Sequence, residues 1–179
     1  MAHLTLALLA SLLATREVNT STYTKLDKAS CNVVATRDEG GYMLQKCRGV
    51  AGFDLLLESF DSRDEVRVAH SSGGESLHLD EITVEFNNVG EVLEWRFAGK
   101  TVVALILRLV VDESDGPDHP RSHPLLIVAK VRPAGSCVVQ VVDARARRDA
   151  NTRARQFADR AQSSACLWPE WSDTEQAKR

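Results

Sequence analysis

A strand that is apolar on both faces belongs in the middle of a sheet, because either face left in water would waste its buried-side chemistry. The run "TVVALILRLVV", Thr101–Val111, is of this kind: eleven residues with Arg108 as the one charge. It stops well short of the roughly 20 apolar residues that a membrane-spanning helix needs. The tight "AGK" before it joins it to "EVLEWRFAG", and the two read as a hairpin.

The rest of the chain supplies neighbours for that hairpin. "CNVVATRD" and "GYMLQKC" flank the Gly- and Asp-rich "DEGG" and read as a second hairpin. "GFDLLLES" and "DEVRVAH", separated by "FDSR", follow; in the latter Val66 and Val68 alternate with Glu65 and Arg67. "LLIVAKV" and "SCVVQVVDA" complete a meander through "RPAG". The count is about eight strands, mostly antiparallel. Residues 71–82, with Gly73 and Gly74, read as a loop, and residues 112–124, "DESDGPDHPRSHP", as a long polar loop.

Four cysteines, Cys31, Cys47, Cys137 and Cys166, form no CxxC pair, which argues against a zinc ribbon or a thioredoxin-type site and for two disulfides. A hairpin centred near Glu39 sets Cys31 opposite Cys47, at a separation that a disulfide accepts. That favours Cys31–Cys47 among the three connectivities and leaves Cys137–Cys166. Disulfides need an oxidising compartment. "LTLALLASLLA", Leu4–Ala14, has the length and apolarity of a signal-peptide core, and the polar "TREVNTSTYTK" after it reads as a mature N-terminal tail. The domain reading is therefore a signal peptide over 1–14, a flexible tail over 15–29, one disulfide-stapled domain over 30–168 and a C-terminal tail over 169–179. The expected location is periplasmic or secreted, with no membrane span.

The segment Val142–Ala161 breaks the strand pattern, with six arginines and three aspartates around a ladder of alanines. Ala150, Ala154, Phe157, Ala158 and Ala161 fall on one helical stripe, with Asp149 as the N-cap. The segment reads as a helix lying over the sheet, with Phe157 as its large anchor and a disulfide at Cys166 tying it down. The fold class is thus α+β: an antiparallel sheet of about eight strands, a sandwich or a partly closed barrel, with one C-terminal helix packed on it. Together, "FNNVGEVLEWR", "ALILRLVV" and "VDARARRDANTRARQFADRA" resemble a group of small exported proteins of Gram-negative bacteria, over about Cys31 to Cys166. The resemblance implies export and a cysteine-paired domain, and it carries over neither an activity nor catalytic residues.

Candidate sites are few. The outer helix face offers Arg148, Arg153, Arg155 and Arg160, and guanidinium groups bind carboxylates and phosphates bidentately. Pairing of Arg155 with Asp159 at i and i+4 would consume part of that charge, and a solvated helix face is the simpler reading. Glu94 and Arg96 share one strand face and are expected to be exposed, with Trp95 on the other face in the core. These six charged residues form the candidate binding surface, for an envelope protein or an anionic envelope polymer. His70 and His78 flank a loop with Ser71, Ser72, Ser76 and Asp80, while His119 and His123 lie near Asp112, Asp115 and Asp118. Neither loop matches a metal motif or a nucleophile elbow, so no metal, cofactor or catalytic residue is assigned. Trp168 and Trp171 read as cover for a sheet edge, with a sugar-stacking platform as the alternative. With 22 basic and 25 acidic side chains the net charge is −3, which argues against nucleic acid as a partner. The reading is an exported binding or interaction module; the alternative is a small periplasmic hydrolase using a histidine with an Asp or Glu in the loops at 70–80 or 112–124.

Overall fold

The computed structural model describes residues 19–27, 29, 31–72, 77–79, 82, 86–114, 120–145 and 148–167. Its architecture follows from the two-faced run of the sequence analysis. Residues 101–114 form one long strand, and alternate side chains go to opposite sides of it. Leu105, Leu107, Leu109 and Val111 join one buried cluster, whereas Ala104 and Ile106 join another.

Among the described residues the strands are β1 (Thr20–Lys25), β2 (Asn32–Thr36), β3 (Met43–Arg48), β4 (Phe53–Phe60), β5 (Arg63–His70), β6 (Leu77–His78), β7 (Phe86–Ala98), β8 (Thr101–Ser114), β9 (Pro120–Lys130) and β10 (Cys137–Asp143). They make two five-stranded sheets, β1-β7-β8-β9-β10 and β2-β3-β4-β5-β6, and every pairing is antiparallel. The two sheets share the larger core cluster, in which Leu55, Leu57, Val66 and Val68 of the second sheet meet Leu93, Trp95, Leu107 and Ile127 of the first. The helix α1 (Ala150–Ala158) and the 3₁₀ turn Ala161–Ser163 cover the other face of the first sheet.

The expectation of about eight strands is corrected to ten, and the sheets are open, so the partly closed barrel is set aside. Of the two extra strands one is polar and the other only two residues long. Thr20–Lys25, read as part of a flexible tail over 15–29, pairs with β7 in an unbroken register from Thr20↔Phe97 to Lys25↔Val92. Leu77–His78, read as loop, pairs with β5. The polar loop at 112–124 is also shorter than expected, because β8 and β9 continue pairing out to Ser114↔Pro120. The apolar run Leu4–Ala14 and the tail after 168 lie outside the described residues, as does the sequence evidence for export that rests on them. No helix among the described residues is long and apolar enough to cross a membrane.

Turn chemistry fixes the hairpins. Asp61 and Ser62 both have positive φ, 48° and 60°, between the paired Phe60 and Arg63, as the right-handed twist of a two-residue hairpin requires. Gly99 supplies the positive φ, 59°, for the β7–β8 turn. Cys31 forms a disulfide with Cys47, with Cα atoms 4.4 Å apart, in line with the Asn32↔Lys46 register beside it. Cys137 at the start of β10 forms the other with Cys166, just past the helical segment. Such bonds form and persist in oxidising compartments. The helix is thereby bound to the sheet at its far end, and Ala150, Ala154, Ala158 and Ala161 lie buried against Ile106, Leu126 and Val128. Phe157 is only partly buried, so the alanine stripe, and not a large anchor, provides the close approach.

Candidate functional site

The six charged residues expected to form one binding surface divide into two groups. Glu94 and Arg96 are 9% and 7% exposed, so the expectation that this pair faces solvent is corrected. Trp95 is buried in the shared core as expected, and its Nε1 donates to Thr24 Oγ1 at 2.9 Å. The strand alternation was read correctly; what covers the charged side is α1. Arg155 Nε donates to Glu94 Oε1 at 2.8 Å and Nη2 to Glu94 Oε2 at 3.1 Å, while Arg96 Nε and Nη2 both donate to Asp159 Oδ1, at 2.9 and 2.6 Å. The i to i+4 partners Arg155 and Asp159 thus each bond across to β7.

β1 closes this network. Arg96 Nη1 donates to Ser21 Oγ, which donates to Glu94 Oε1, and Arg155 Nη2 donates to the Tyr23 hydroxyl at 3.3 Å. Two carboxylates and two guanidinium groups therefore balance under the helix, and the seam holds α1, β7 and β1 together. The hydrogen bond to Glu94 raises the Arg155 pKa above its ordinary value, against the opposing effect of burial. The remaining helix arginines point outward: Arg148 and Arg160 are exposed and Arg153 is half-buried. Arg160 lies over the Phe157 ring at 5.6 Å and its Nε donates to the Gln156 carbonyl.

The described histidines, His70, His78 and His123, do not converge. On β5 the buried residues Asp64, Val66 and Val68 alternate towards the core, which places His70 on the core side, against the Phe53 ring at 4.8 Å. His78 pairs with Arg67 and so stands on the opposite face of the same sheet, where its Nδ1 meets Glu65 Oε1 at 2.7 Å. Arg67 joins Glu58 and Glu65 there in a part-exposed charge cluster. His70 Nδ1 lies 2.6 Å from Ser72 Oγ, and the Ser72 backbone N–H donates to the same nitrogen, which makes this a local turn contact. His123, expected in a solvated loop, is 6% exposed in β9 opposite Val111. His119, Asp115, Asp118, Ser76, Asp80, Trp168 and Trp171 lie outside the described residues. Among the described residues no group of three or more His, Cys, Asp or Glu could hold a metal ion.

What sequence reasoning missed is the edge of the first sheet, where β1 is the end strand. An open groove of about 360 Å³ runs between the end of β1 and the segment after β3, lined by Tyr23, Thr24, Lys25, Arg48, Gly49, Val50 and the Cys31–Cys47 bridge. It adjoins a second, of about 510 Å³, bordered by Lys25, Leu26, Asp27, Val89, Glu91 and Val92. Gly49 lies so near the Phe53 carbonyl that a Cβ would stand 2.0 Å from it, so this wall is fixed by backbone packing. Two exposed apolar side chains line these grooves, Tyr23 the first and Val92 the second. The signal for it was present in "TSTYTK", whose threonines and tyrosine suit a strand, but its polarity masked an edge element.

No protein-family model, curated protein or solved structure matches this chain.

Proposed function

We propose that this chain is an exported interaction module that binds an envelope protein through the edge strand β1 and the grooves beside its end. The observation that carries this reading is the coincidence of the β1 sheet edge, two grooves that share Lys25, and the exposed side chains of Tyr23 and Val92 that line them. Isolated exposed apolar residues are ordinary, but those that line a concave opening mark an interaction surface. Export is supported by the two disulfides, and it agrees with the proposed kinship to small four-cysteine exported proteins of Gram-negative bacteria.

Among the described residues the hydrolase alternative draws on one contact, the His78–Glu65 pair. A carboxylate-oriented imidazole is half of an acid–base device, yet His70 stands on the other face of the sheet and supplies no second half. The arginines of the expected binding surface give an anionic polymer less purchase than expected, since Arg96 on β7 and Arg155 on α1 are engaged within the protein.

A photo-crosslinking residue placed at Val92 or Lys25 in the native host tests the reading, with Gln140 on the opposite edge strand as the control. A discrete envelope adduct from the first two positions and none from the control is expected. Equal labelling from all three, or four free thiols on alkylation of the mature protein, would sink it.

A further inference from the structure

Each sheet has two edges, and among the described residues the four differ in what they leave open. β6 is two residues long. β10 is interrupted by a register shift between Val138 and Gln140, and its Val138 carbonyl already accepts the Leu167 N–H at 2.8 Å. β2 carries a register shift between Val33 and Ala35, which breaks its outward row of donors and acceptors. β1 alone keeps an unbroken register over six residues and contains no proline.

The orientation of its free groups follows from one bond. Leu26 N–H donates to the Glu91 carbonyl at 2.8 Å, in continuation of the β1–β7 register. In an antiparallel ladder bonded and non-bonded pairs alternate, so the even residues of β1 bond to β7. Ser21, Tyr23 and Lys25 therefore turn their backbone N–H and C=O groups away from β7, towards the open side. Lys25 and Arg48 both line the first groove, where no carboxylate is among the described lining residues; Asp27 and Glu91 border the second groove on the other side of Lys25.

We propose that the free edge of β1 takes up an extended peptide segment as an added strand, with a carboxylate side chain of that segment seated between Lys25 and Arg48. Strand addition at a sheet edge draws affinity from main-chain hydrogen bonds and specificity from side-chain pockets, and here the pocket is cationic. The inference rests on the interaction-module reading and gives it a ligand chemistry.

The test uses the full chain with both disulfides intact and two blocked peptides, acetyl-Thr-Val-Thr-Glu-Thr-Val-Thr-amide and its Gln analogue, followed by backbone NMR. The expected result is shifts confined to Ser21–Lys25 and Gly49–Val50, with the Glu peptide about fivefold tighter than the Gln peptide, a ratio fitting two exposed charge contacts. That preference should vanish in the double variant Lys25→Gln with Arg48→Gln, which leaves the ladder untouched. Binding of both peptides should be lost in Tyr23→Pro, which removes an outward N–H and no β7 bond. Equal affinity for the two peptides overturns the carboxylate seat, and absence of shifts at β1 overturns the added strand. Concentration-dependent dimerisation abolished by Tyr23→Pro would assign the edge to a second copy and also overturn it. Equally strong shifts at the same residues with dextran sulfate would show a simple polyanion site instead. Peptide shifts elsewhere on the surface would leave the interaction module standing while refuting this edge, so the two readings fail separately.

Discussion

The two sheets contain the same number of strands but solve different problems. The first is covered twice, by the second sheet on one face and by α1 on the other, so even its charged side chains must be accommodated inside. Glu94, Arg96 and Lys130 are all under 10% exposed, and each has its partner across the helix seam: Arg155, Asp159 and the Ser164 carbonyl. Among the described residues the second sheet is covered once, by the first. Its outer face carries Lys46, Asp54, Glu58, Glu65, Arg67 and His78 on the strand positions that alternate with the core, and their pairs are part-exposed. The same residue types are therefore structural in one sheet and superficial in the other.

That contrast should be largest for apolar truncation. Leu107→Ala, at a position 1% exposed between the sheets, is expected to cost about 2.7–5 kcal/mol. Leu56→Ala, half-buried on the outer face of the second sheet, should cost less than about 1 kcal/mol, since most of its lost surface was never removed from water. Urea unfolding of both variants measures the difference, and similar losses would mean that the outer face of the second sheet is covered as well.

The next comparison exchanges carbon for charge. Arg96→Ala removes a guanidinium whose side chain is 8% exposed and that bonds to Ser21, Asp159 and the Asn19 carbonyl. The expected loss is about 3 kcal/mol, the low end for breaking a buried pair because Asp159 is itself 35% exposed. Arg67→Ala in the second sheet removes a guanidinium 26% exposed between Glu58 and Glu65, and should cost about 1 kcal/mol or less. High salt should narrow the Arg67 effect and leave the Arg96 effect nearly unchanged. Comparable losses and comparable salt dependence would contradict the division into covered and uncovered sheets.

The third layer can be probed by overfilling it. Ala154 is fully buried where α1 meets the first sheet, and Ala154→Leu should cost about 1–3 kcal/mol by forcing the helix outward. Gln156→Leu, on the exposed side of the same helix, should be within about 0.5 kcal/mol of the parent. If Ala154→Leu were neutral, the alanine stripe would not set the helix-to-sheet distance.

The legibility of the chain follows the same division. Every strand with an apolar or alternating pattern could be read, and so could the helix from its alanine spacing, because burial imposes those periods directly. The Cys31–Cys47 pairing was legible because a hairpin register is local. β1 was not, since its role is to satisfy others: Thr24 accepts from Trp95, and Ser21 and Tyr23 bond within the seam. Nothing in "TSTYTK" alone announces those partners, which lie more than 70 residues away in sequence. The exposed placement of Glu94 and Arg96 failed for a related reason. Alternation tells which residues share a face, but not whether a later segment returns to cover it. The groove by Lys25 and Arg48 was invisible because it joins an unrecognised strand to a turn.

A final prediction concerns a charge that neither sheet buries. Asp143 ends β10 and is solvent-exposed, and the side-chain hydrogen bond from Arg145, helped by the Arg145 backbone N–H, lowers its pKa from 3.8 to about 2. A carboxylate depressed in the folded state stabilises the fold above its unfolded value, and that contribution fades as pH falls from about 4 towards 2. Carboxyl-detected NMR should place the Asp143 midpoint near 2, and Arg145→Ala should return it towards the ordinary range. The thermal midpoint of the variant should match the parent at acid pH, where Asp143 is protonated in both, and fall slightly below it at neutral pH. An ordinary midpoint in the parent would mean that the turn contact is too loosely held in water to bias titration. In that case the contrast would stand between this exposed turn pair and the seam where α1 covers Glu94 and Arg96.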